Sequence, residues 1–161
     1  MSPPPEGALG LAREAEIRLA ERLARGIARL FEDMGCAAIA EFPLANGRRV
    51  DVIALDGQGT TSIVEIKSSV QDFRSDAKWR EYLDFCDRFY FAVPTGFPTT
   101  LIPEECGLIV ADGFAAAVLR NAPPVSLAPA RRRVLTLRFA LAAATRLRRH
   151  LDPRSGGLPG L

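Results

Sequence analysis

Two acidic residues and a lysine have the types and the spacing to do chemistry in this chain. Asp51 lies on one short apolar run of the sequence, and Glu65 and Lys67 lie on the next. If the two runs pair as a hairpin around a three-residue loop at residues 57–59, Asp51 falls directly opposite Glu65. Carboxylates in opposite positions repel each other, and a divalent cation between them would turn that repulsion into attraction. Lys67 points to the same face as Glu65, so the three side chains indicate a metal-dependent phosphodiester site.

The alternative for Asp51 and Glu65 is an exposed pair of hairpin charges, since one face of an antiparallel sheet often meets water. Apolar residues on both faces of the hairpin argue against it, because they predict a central position where unpaired acids are costly. These residues are Val50, Val52, Ile53, Ile63, Val64 and Ile66. The expected ion is Mg²⁺ or Mn²⁺, since hard cations prefer oxygen ligands. It would lower the pKa of a water molecule and polarise the scissile phosphate.

Composition predicts one soluble domain. A chain of 161 residues with 48% hydrophobic and 25% charged residues is ordinary for a globular protein. No apolar run approaches the roughly 18 residues that would cross a bilayer, and the N-terminus lacks the features of a signal peptide. We therefore expect a cytoplasmic protein without membrane contact. The sequence gives no indication of an oligomeric state.

Cysteine and histidine usage excludes several classes of site. The three cysteines (Cys36, Cys86 and Cys106) are scattered and form no C-x-x-C pair, so we expect reduced and mostly buried thiols. The single histidine, His150, lies in an arginine-rich segment. A zinc site and a histidine-based catalytic triad are therefore not expected.

Charge is distributed unevenly along the chain. Residues 1–124 carry 13 basic and 18 acidic residues, a net charge of −5, whereas residues 125–161 carry eight arginines and one aspartate, a net charge of +7. A basic segment attached to an acidic body is one electrostatic signature of nucleic-acid binding. A solvated helix face would give the same pattern.

The hydrophobic periodicity predicts a single domain at residues 13–151, with a core at 13–120 and a basic C-terminal helix at 130–151. Residues 1–12 are expected to be a flexible leader, and residues 152–161 a disordered tail. Within the domain we expect helices at 13–34, 72–85 and 130–151, and strands at 36–45, 48–55, 61–68, 88–93, 108–111 and 115–119.

A third acid of the site depends on how the turn at Asn46-Gly47 is built. With a two-residue turn, Glu41 faces away from Asp51. With a three-residue loop ending at Gly47 and a bulge, Glu41 falls opposite Asp51, and we favour Glu41 as a catalytic residue on that basis. Glu16 and Glu21, on the first helix, are expected to face solvent.

The order helix, three-strand meander, helix and strand is similar to the αβββαβ core of the PD-(D/E)XK nuclease superfamily. This resemblance implies an α/β (α+β) fold with a mixed central sheet flanked by helices, here with an added C-terminal helix. Six blocks of sequence resemble the MmcB-like family of bacterial DNA repair proteins more specifically. They are RRVDVIAL (48–55), IVEIKSS (63–69), DFRSDAKW (72–79), CDRFYFAV (86–93), GLIVAD (107–112) and LAPARR (127–132).

The resemblance implies a metal-dependent endonuclease that acts on DNA in repair, without a firmly assigned substrate. It also implies that the backbone carbonyl of Ile66 is a third metal ligand, and that Lys67 orients the attacking water and stabilises the developing charge. The alternatives are a non-catalytic nucleic-acid-binding repair module and a scaffold whose C-terminal arginines engage an acidic partner. Other repair proteins are further candidate partners.

Five residues are candidate phosphate contacts. Lys78 and Tyr82 are four residues apart on one predicted helix face, and Ser68 follows the acidic strand. Arg131 and Arg132 begin the basic helix. The competing interpretations are a solvated helix face with a packed tyrosine and a turn-forming serine.

Overall fold

The computed structural model describes the backbone of residues 6–160. In chain order its elements are helix α1 (Glu6–Asp33), strands β1 (Cys36–Pro43), β2 (Arg49–Asp56) and β3 (Thr61–Ile66), helix α2 (Val70–Ser75), a 3-10 helix (Trp79–Phe85), strand β4 (Arg88–Pro94), a 3-10 turn (Thr99–Leu101), strands β5 (Gly107–Ala111) and β6 (Ala116–Arg120), and helix α3 (Pro129–Leu151). The strands form one sheet in sequence order. Strand pairs β3–β4 and β4–β5 are parallel and the other three pairs are antiparallel. The predicted mixed α+β fold is confirmed.

The β2–β3 hairpin has the predicted register. Val52 pairs with Val64, so Asp51 and Glu65 occupy the next pair of positions. The connection is a three-residue loop that Gly59 closes at a φ of +85°, a conformation that glycine adopts without a steric penalty. One carboxylate oxygen of Asp56 accepts the N–H groups of Gln58 and Thr60, each at 2.8 Å, which fixes the turn.

The β1–β2 hairpin follows the second of the two alternatives for its turn. The N–H of Leu44 donates to the carbonyl of Arg48 at 2.7 Å, which leaves a three-residue loop ending at Gly47, whose φ is +82°. The ladder on either side places Glu41 across from Asp51. Glu41 itself has a φ of +54°, a conformation that interrupts the strand locally.

Helices cover both faces of the sheet. On one face Leu23, Ile27 and Phe31 of α1 pack against buried residues of β2 to β5. On the other, Leu135 and Phe139 of α3 belong to a second core that includes residues of the 3-10 helix and six further aromatic residues. They are Phe42, Trp79, Tyr82, Phe89, Phe91 and Phe97. All six residues of β3 are buried as a result, which agrees with the central position predicted for this hairpin.

Two predicted boundaries are wrong. Helix α1 begins at Glu6, so residues 6–12 are helical although they were expected to belong to a flexible leader, whose first five residues lie outside the described chain. The helix predicted at 72–85 is α2 followed by a 3-10 helix, with a break at residues 76–78. Residues 152–160, the expected disordered tail, carry no helix or strand, and the carbonyl of Gly156 accepts a hydrogen bond from Arg149 at 3.4 Å.

No helix among residues 6–160 is long and apolar enough to cross a membrane. Cys36, Cys86 and Cys106 are free thiols. Burial, with the nearby charge of Asp87, raises the pKa of Cys86 to about 12. A thiol with so high a pKa is unreactive at neutral pH.

Asp87 joins three separate parts of the chain. Its carboxylate accepts the N–H groups of Thr61 at 2.8 Å and of Leu127 at 3.0 Å. Arg132 donates two further hydrogen bonds to the same carboxylate, at 2.8 Å and 2.6 Å. Arg132 also donates to the carbonyl of Gly59. The start of β3, the segment before α3 and α3 itself are therefore held together by one ion pair.

Asp87→Asn is expected to destabilise the fold by about 1–3 kcal/mol, because the amide loses the paired charge and one of its two acceptor oxygens. Burial opposes ionisation of Asp87, but hydrogen bonds from Arg132 and from two backbone N–H groups lower its pKa overall. The stabilisation is therefore present above the ordinary pKa of an aspartate, about 4, and is lost as the pH falls through the lowered value. Urea unfolding of both proteins at several pH values measures the difference. The control is Asp84→Asn, at an exposed aspartate of the 3-10 helix, and an equal loss in that variant would contradict the assignment.

Candidate active site

Asp51 and Glu65 meet at the end of the β2–β3 ladder. Glu65 is 5% exposed, and its Oε1 lies 3.4 Å from the backbone nitrogen of Asp51. The Oδ2 of Asp51 accepts the N–H of Ile66 at 2.7 Å. Each carboxylate is thus held against the backbone of the opposite strand, and both line a cavity of about 270 Å³ together with Lys67.

Burial and mutual repulsion favour the protonated forms of this acid pair. Burial raises the pKa of Glu65 well above its ordinary value, and the charge of Asp51 raises it further. Burial also raises the pKa of Asp51, although the hydrogen bond from Ile66 works in the opposite direction. Two neighbouring carboxylates of this kind hold a proton between them at neutral pH unless a cation neutralises their charge.

Lys67 supplies one positive charge beside the acids. Its Nζ lies 3.9 Å from Oε2 of Glu65 and 2.7 Å from Oδ2 of Asp76. Burial lowers the pKa of the ammonium group, but the hydrogen bond to Asp76 and the charge of Glu65 outweigh burial and raise the pKa overall. Lys67 is therefore a fixed cation and a hydrogen-bond donor, not a general base.

Asp76 is a site residue that the sequence analysis missed. It lies in the break between α2 and the 3-10 helix, at the end of α2, where its Oδ1 accepts the N–H of Lys78 at 2.8 Å while Oδ2 holds Lys67. A continuous helix at 72–85 would not have left these contacts available. The signal that could have revealed the break is weak: aspartate favours caps and turns over helix interiors.

The two acids fit a divalent cation for which the protein supplies only some of the ligands. Among the described residues no group of three His, Cys, Asp or Glu side chains has the spacing of a metal site. Mg²⁺ is commonly held by one or two carboxylates while water and substrate phosphates fill its other positions. The buried acid pair suits such an ion because the cation would remove the repulsion that now favours protonation. Ile66, whose carbonyl is the expected third ligand, borders the same cavity.

The predicted third acid, Glu41, lies across from Asp51 in the ladder and lines a neighbouring cavity with it, but its side chain forms an ion pair with Arg49. Its Oε2 lies 3.0 Å from Nε of Arg49, and both side chains are mostly exposed. The three-residue loop on which the prediction for Glu41 depended is present. Glu41 nevertheless has a positive φ, and its side chain pairs with Arg49. Glu16 and Glu21 are exposed as predicted, yet Glu16 lines the cavity that contains Asp51 and Glu65. Glu16 is therefore the nearer alternative on α1.

The predicted phosphate contacts near the acids have mixed outcomes. Lys78 is exposed whereas Tyr82 is buried, because the segment is a 3-10 helix and the expected shared helix face does not exist. Burial and the charge of Glu65 raise the pKa of Tyr82 to about 12. Ser68 borders the acid cavity, but its hydroxyl and its N–H both donate to Asp72, at 3.3 Å and 3.0 Å. This is the turn-forming arrangement.

Several arginines of α3 donate hydrogen bonds to other parts of the fold. Arg132 is paired with Asp87, so its guanidinium already holds the fold together, and its role as a phosphate contact stays a prediction. Arg131 donates to the carbonyl of Asp84 at 2.8 Å and remains exposed. Farther along α3, Arg138 donates to the carbonyl of Pro43 and Arg146 to the carbonyls of Ala40 and Glu41. These last contacts support β1 at the point where the strand is interrupted.

The model of the MmcB-like DNA repair protein family matches residues 8–154. The chain belongs to this family. The match covers the whole sheet, the acid pair, all of α3 and all of α1 except its first two residues. None of the curated proteins matches the chain.

A solved structure agrees with the fold. A protein of unknown function from Silicibacter pomeroyi is similar to this chain with 46% sequence identity and a TM-score of 0.83, over 87% of this chain and 96% of that one. SfsA of Pyrococcus furiosus, in complex with Ca²⁺, has 13% identity and a TM-score of 0.37 over 64% of each chain. The second likeness is too low to carry an argument.

Glu65→Gln is expected to stabilise the metal-free protein at neutral and alkaline pH. Because folding raises the pKa of Glu65, the contribution of this residue to stability is most favourable below the ordinary pKa of glutamate and declines as the pH rises from there. Glutamine imitates the protonated acid and avoids this loss. We expect the Tm of the variant to exceed that of the wild type by at least about 2 °C at pH 8, with a difference that shrinks towards pH 4.5.

Differential scanning fluorimetry in EDTA measures both Tm values. Glu104→Gln is the control because Glu104 is exposed and far from the site in the chain. A lower Tm for Glu65→Gln at pH 8 would show that the ionised carboxylate stabilises the metal-free fold.

Asp76→Asn is expected to lower the pKa of Lys67, because burial then acts against the ammonium without the charged partner that offsets it. Lys67 and Lys78 are the two lysines of the chain, so selective ¹³C labelling gives two Cε signals. The exposed Lys78 serves as the internal reference. An NMR titration in which Asp76→Asn leaves the Lys67 signal unchanged would rule out Asp76 as the residue that maintains its charge.

Proposed function

We propose that this protein is a metal-dependent DNA endonuclease that acts in repair. The observation that carries the proposal is the buried pair Asp51 and Glu65 with Lys67 beside it, in a chain that belongs to a DNA repair family. The order helix, three-strand meander, helix and strand, expected of a PD-(D/E)XK nuclease core, supports it. Asp51, Glu65 and the carbonyl of Ile66 would hold Mg²⁺ or Mn²⁺.

Each residue has a separate role in this proposal. The cation supplies Lewis acidity at the scissile phosphate when it is bound. Asp51 and Glu65 are held in place by contacts to the opposite strand, so they need little reorganisation to accept it. Lys67 donates hydrogen bonds from a charged nitrogen that Asp76 keeps in one position. It can therefore orient the attacking water and stabilise negative charge as it develops on the phosphate.

A non-catalytic nucleic-acid-binding module is the second candidate. The observation in its favour is that Glu41 pairs with Arg49, and that no group of three His, Cys, Asp or Glu side chains among the described residues has the spacing of a metal site. Such a module would bind DNA with a steep dependence on salt but would bind no divalent ion at Asp51 and Glu65. Isothermal titration with Mn²⁺, in the wild type and in Glu65→Ala, separates the two functions.

Asp51→Ala, Glu65→Ala and Lys67→Ala are each expected to reduce Mg²⁺- or Mn²⁺-dependent cleavage of DNA by at least about 100-fold, because each removes a group that acts on the reacting phosphate. The substrates are single-stranded, duplex, nicked and branched DNA of one sequence. EDTA is expected to abolish cleavage by the wild type. Circular dichroism checks the fold of each variant.

Glu104→Ala, which changes an exposed acid outside the site, is the matched control and should cleave like the wild type. Undiminished cleavage in all three site variants would refute the mechanism. No cleavage of any substrate by the wild type, combined with intact DNA binding, would favour the binding module.

A further inference from the structure

Three cavities follow one another along the side of the molecule that contains the acid pair. The acid cavity, of about 270 Å³, borders a middle cavity of about 650 Å³, and Asp51 and Ile66 line both. The middle cavity in turn borders a distal cavity of about 480 Å³, and the ion pair of Glu41 and Arg49 lines both of these. We call this row of three adjoining cavities the groove; it begins at the acids and ends beside residues 156–160.

The walls of the middle cavity suit a neutral, flat group. Successive turns of α1 present Ala20, Ala24 and Ala28, whose small side chains leave the space open. The rim carries three acidic and two basic residues, so the cavity has no excess of positive charge that would attract a phosphate. Its volume lies within the range of pockets for small organic ligands, and guanidinium groups such as those of its two arginines stack on nucleobases.

The distal cavity has the opposite character. Arg49, Arg146 and Arg149 line it against one acid, Glu41. Arg146 donates to the carbonyls of Ala40 and Glu41 and adds positive charge to the opening. Arg49 and Arg149 are exposed, and their contacts with Glu41 and with the carbonyl of Gly156 are surface contacts that a ligand can replace. These two guanidinium groups are suited to a phosphate, because arginine can donate two parallel hydrogen bonds to its oxygens.

We infer that the groove binds a single DNA strand, with one unpaired base in the middle cavity and the next phosphate in the distal cavity. This inference rests on the proposed function for the acid cavity, which would hold the scissile phosphate. Along a DNA strand a phosphate, a base and the next phosphate follow one another. This is the order of the acid cavity, the middle cavity and the distal cavity. A base inside a duplex is stacked and paired and reaches such a cavity only if it is flipped out. The preferred substrate is therefore DNA with single-stranded or unpaired nucleotides.

Ala24→Leu fills the middle cavity and is the first test. The probe is a fluorescein-labelled single-stranded oligonucleotide of mixed sequence, and fluorescence anisotropy with Ca²⁺ measures its binding to the chain. The wild type should bind it about tenfold or more tightly than the blunt duplex of the same sequence, and Ala24→Leu should remove this preference. Ala15→Leu is the control because Ala15 is an exposed residue of the same helix that lines none of the three cavities. Thermal unfolding checks that both variants fold.

Arg149→Gln tests the distal cavity. The loss of one phosphate contact should weaken single-strand binding and reduce the slope of log Kd against log salt by about 0.7. Arg133→Gln removes the same charge from an exposed position on the same helix, outside the groove, and should leave the slope unchanged. Equal effects of the two substitutions would mean that the helix acts through its overall charge and not through this cavity.

The inference and the proposed function fail in different ways. If Glu65→Ala abolishes cleavage while Ala24→Leu binds and cleaves single strands like the wild type, the acid site stands and the base cavity is refuted. If the wild type cleaves nothing but Ala24→Leu still loses single-strand binding, the groove stands and the nuclease proposal is refuted. Equal binding of blunt duplex and single strand by the wild type refutes the groove in either case.

Discussion

The register of the β2–β3 hairpin places two carboxylates next to each other inside the protein, and much of the surrounding structure responds to that placement. Glu65 lies on a strand whose residues are all buried and Asp51 is partly buried, so water screens their charges only weakly. The raised pKa values of both acids are the consequence. A fold that retains such an arrangement gives up stability at neutral pH, and a bound cation would restore it.

The negative charge of the acid pair is partly compensated by a row of neighbouring charged side chains. Glu65 is followed by Lys67, and Lys67 by Asp76, so negative and positive groups alternate from the acid pair outward. The break between α2 and the 3-10 helix makes this possible because it turns the carboxylate of Asp76 towards the lysine. Lys67 keeps its charge through that contact, which suits a role at a phosphate better than a role in proton removal.

The arginines of α3 illustrate that a charge pattern does not by itself identify which side chains are available to a ligand. The number of arginines in α3 is one signature of nucleic-acid binding. However, Arg132, Arg138 and Arg146 donate hydrogen bonds to a carboxylate and to backbone carbonyls of the sheet. Arg138 and Arg146 hold α3 against the C-terminal end of β1, and Arg132 holds it beside the start of β3. The arginines that stay accessible beside the groove are fewer, and they come from both β2 and α3.

The sequence by itself determined the hairpin and its chemistry. The two short apolar runs and the glycine at position 59 define the loop and the register, so the proximity of Asp51 and Glu65 follows from local rules of turn geometry. The helices on either side also follow from periodicity. Tertiary structure alone decided what completes the site: the pairing of Lys67 with Asp76, the diversion of Glu41 to Arg49, and the groove that α1 forms along the sheet. These depend on side chains that are distant in sequence and compete for partners once the sheet is covered, and no local pattern specifies which of them meet.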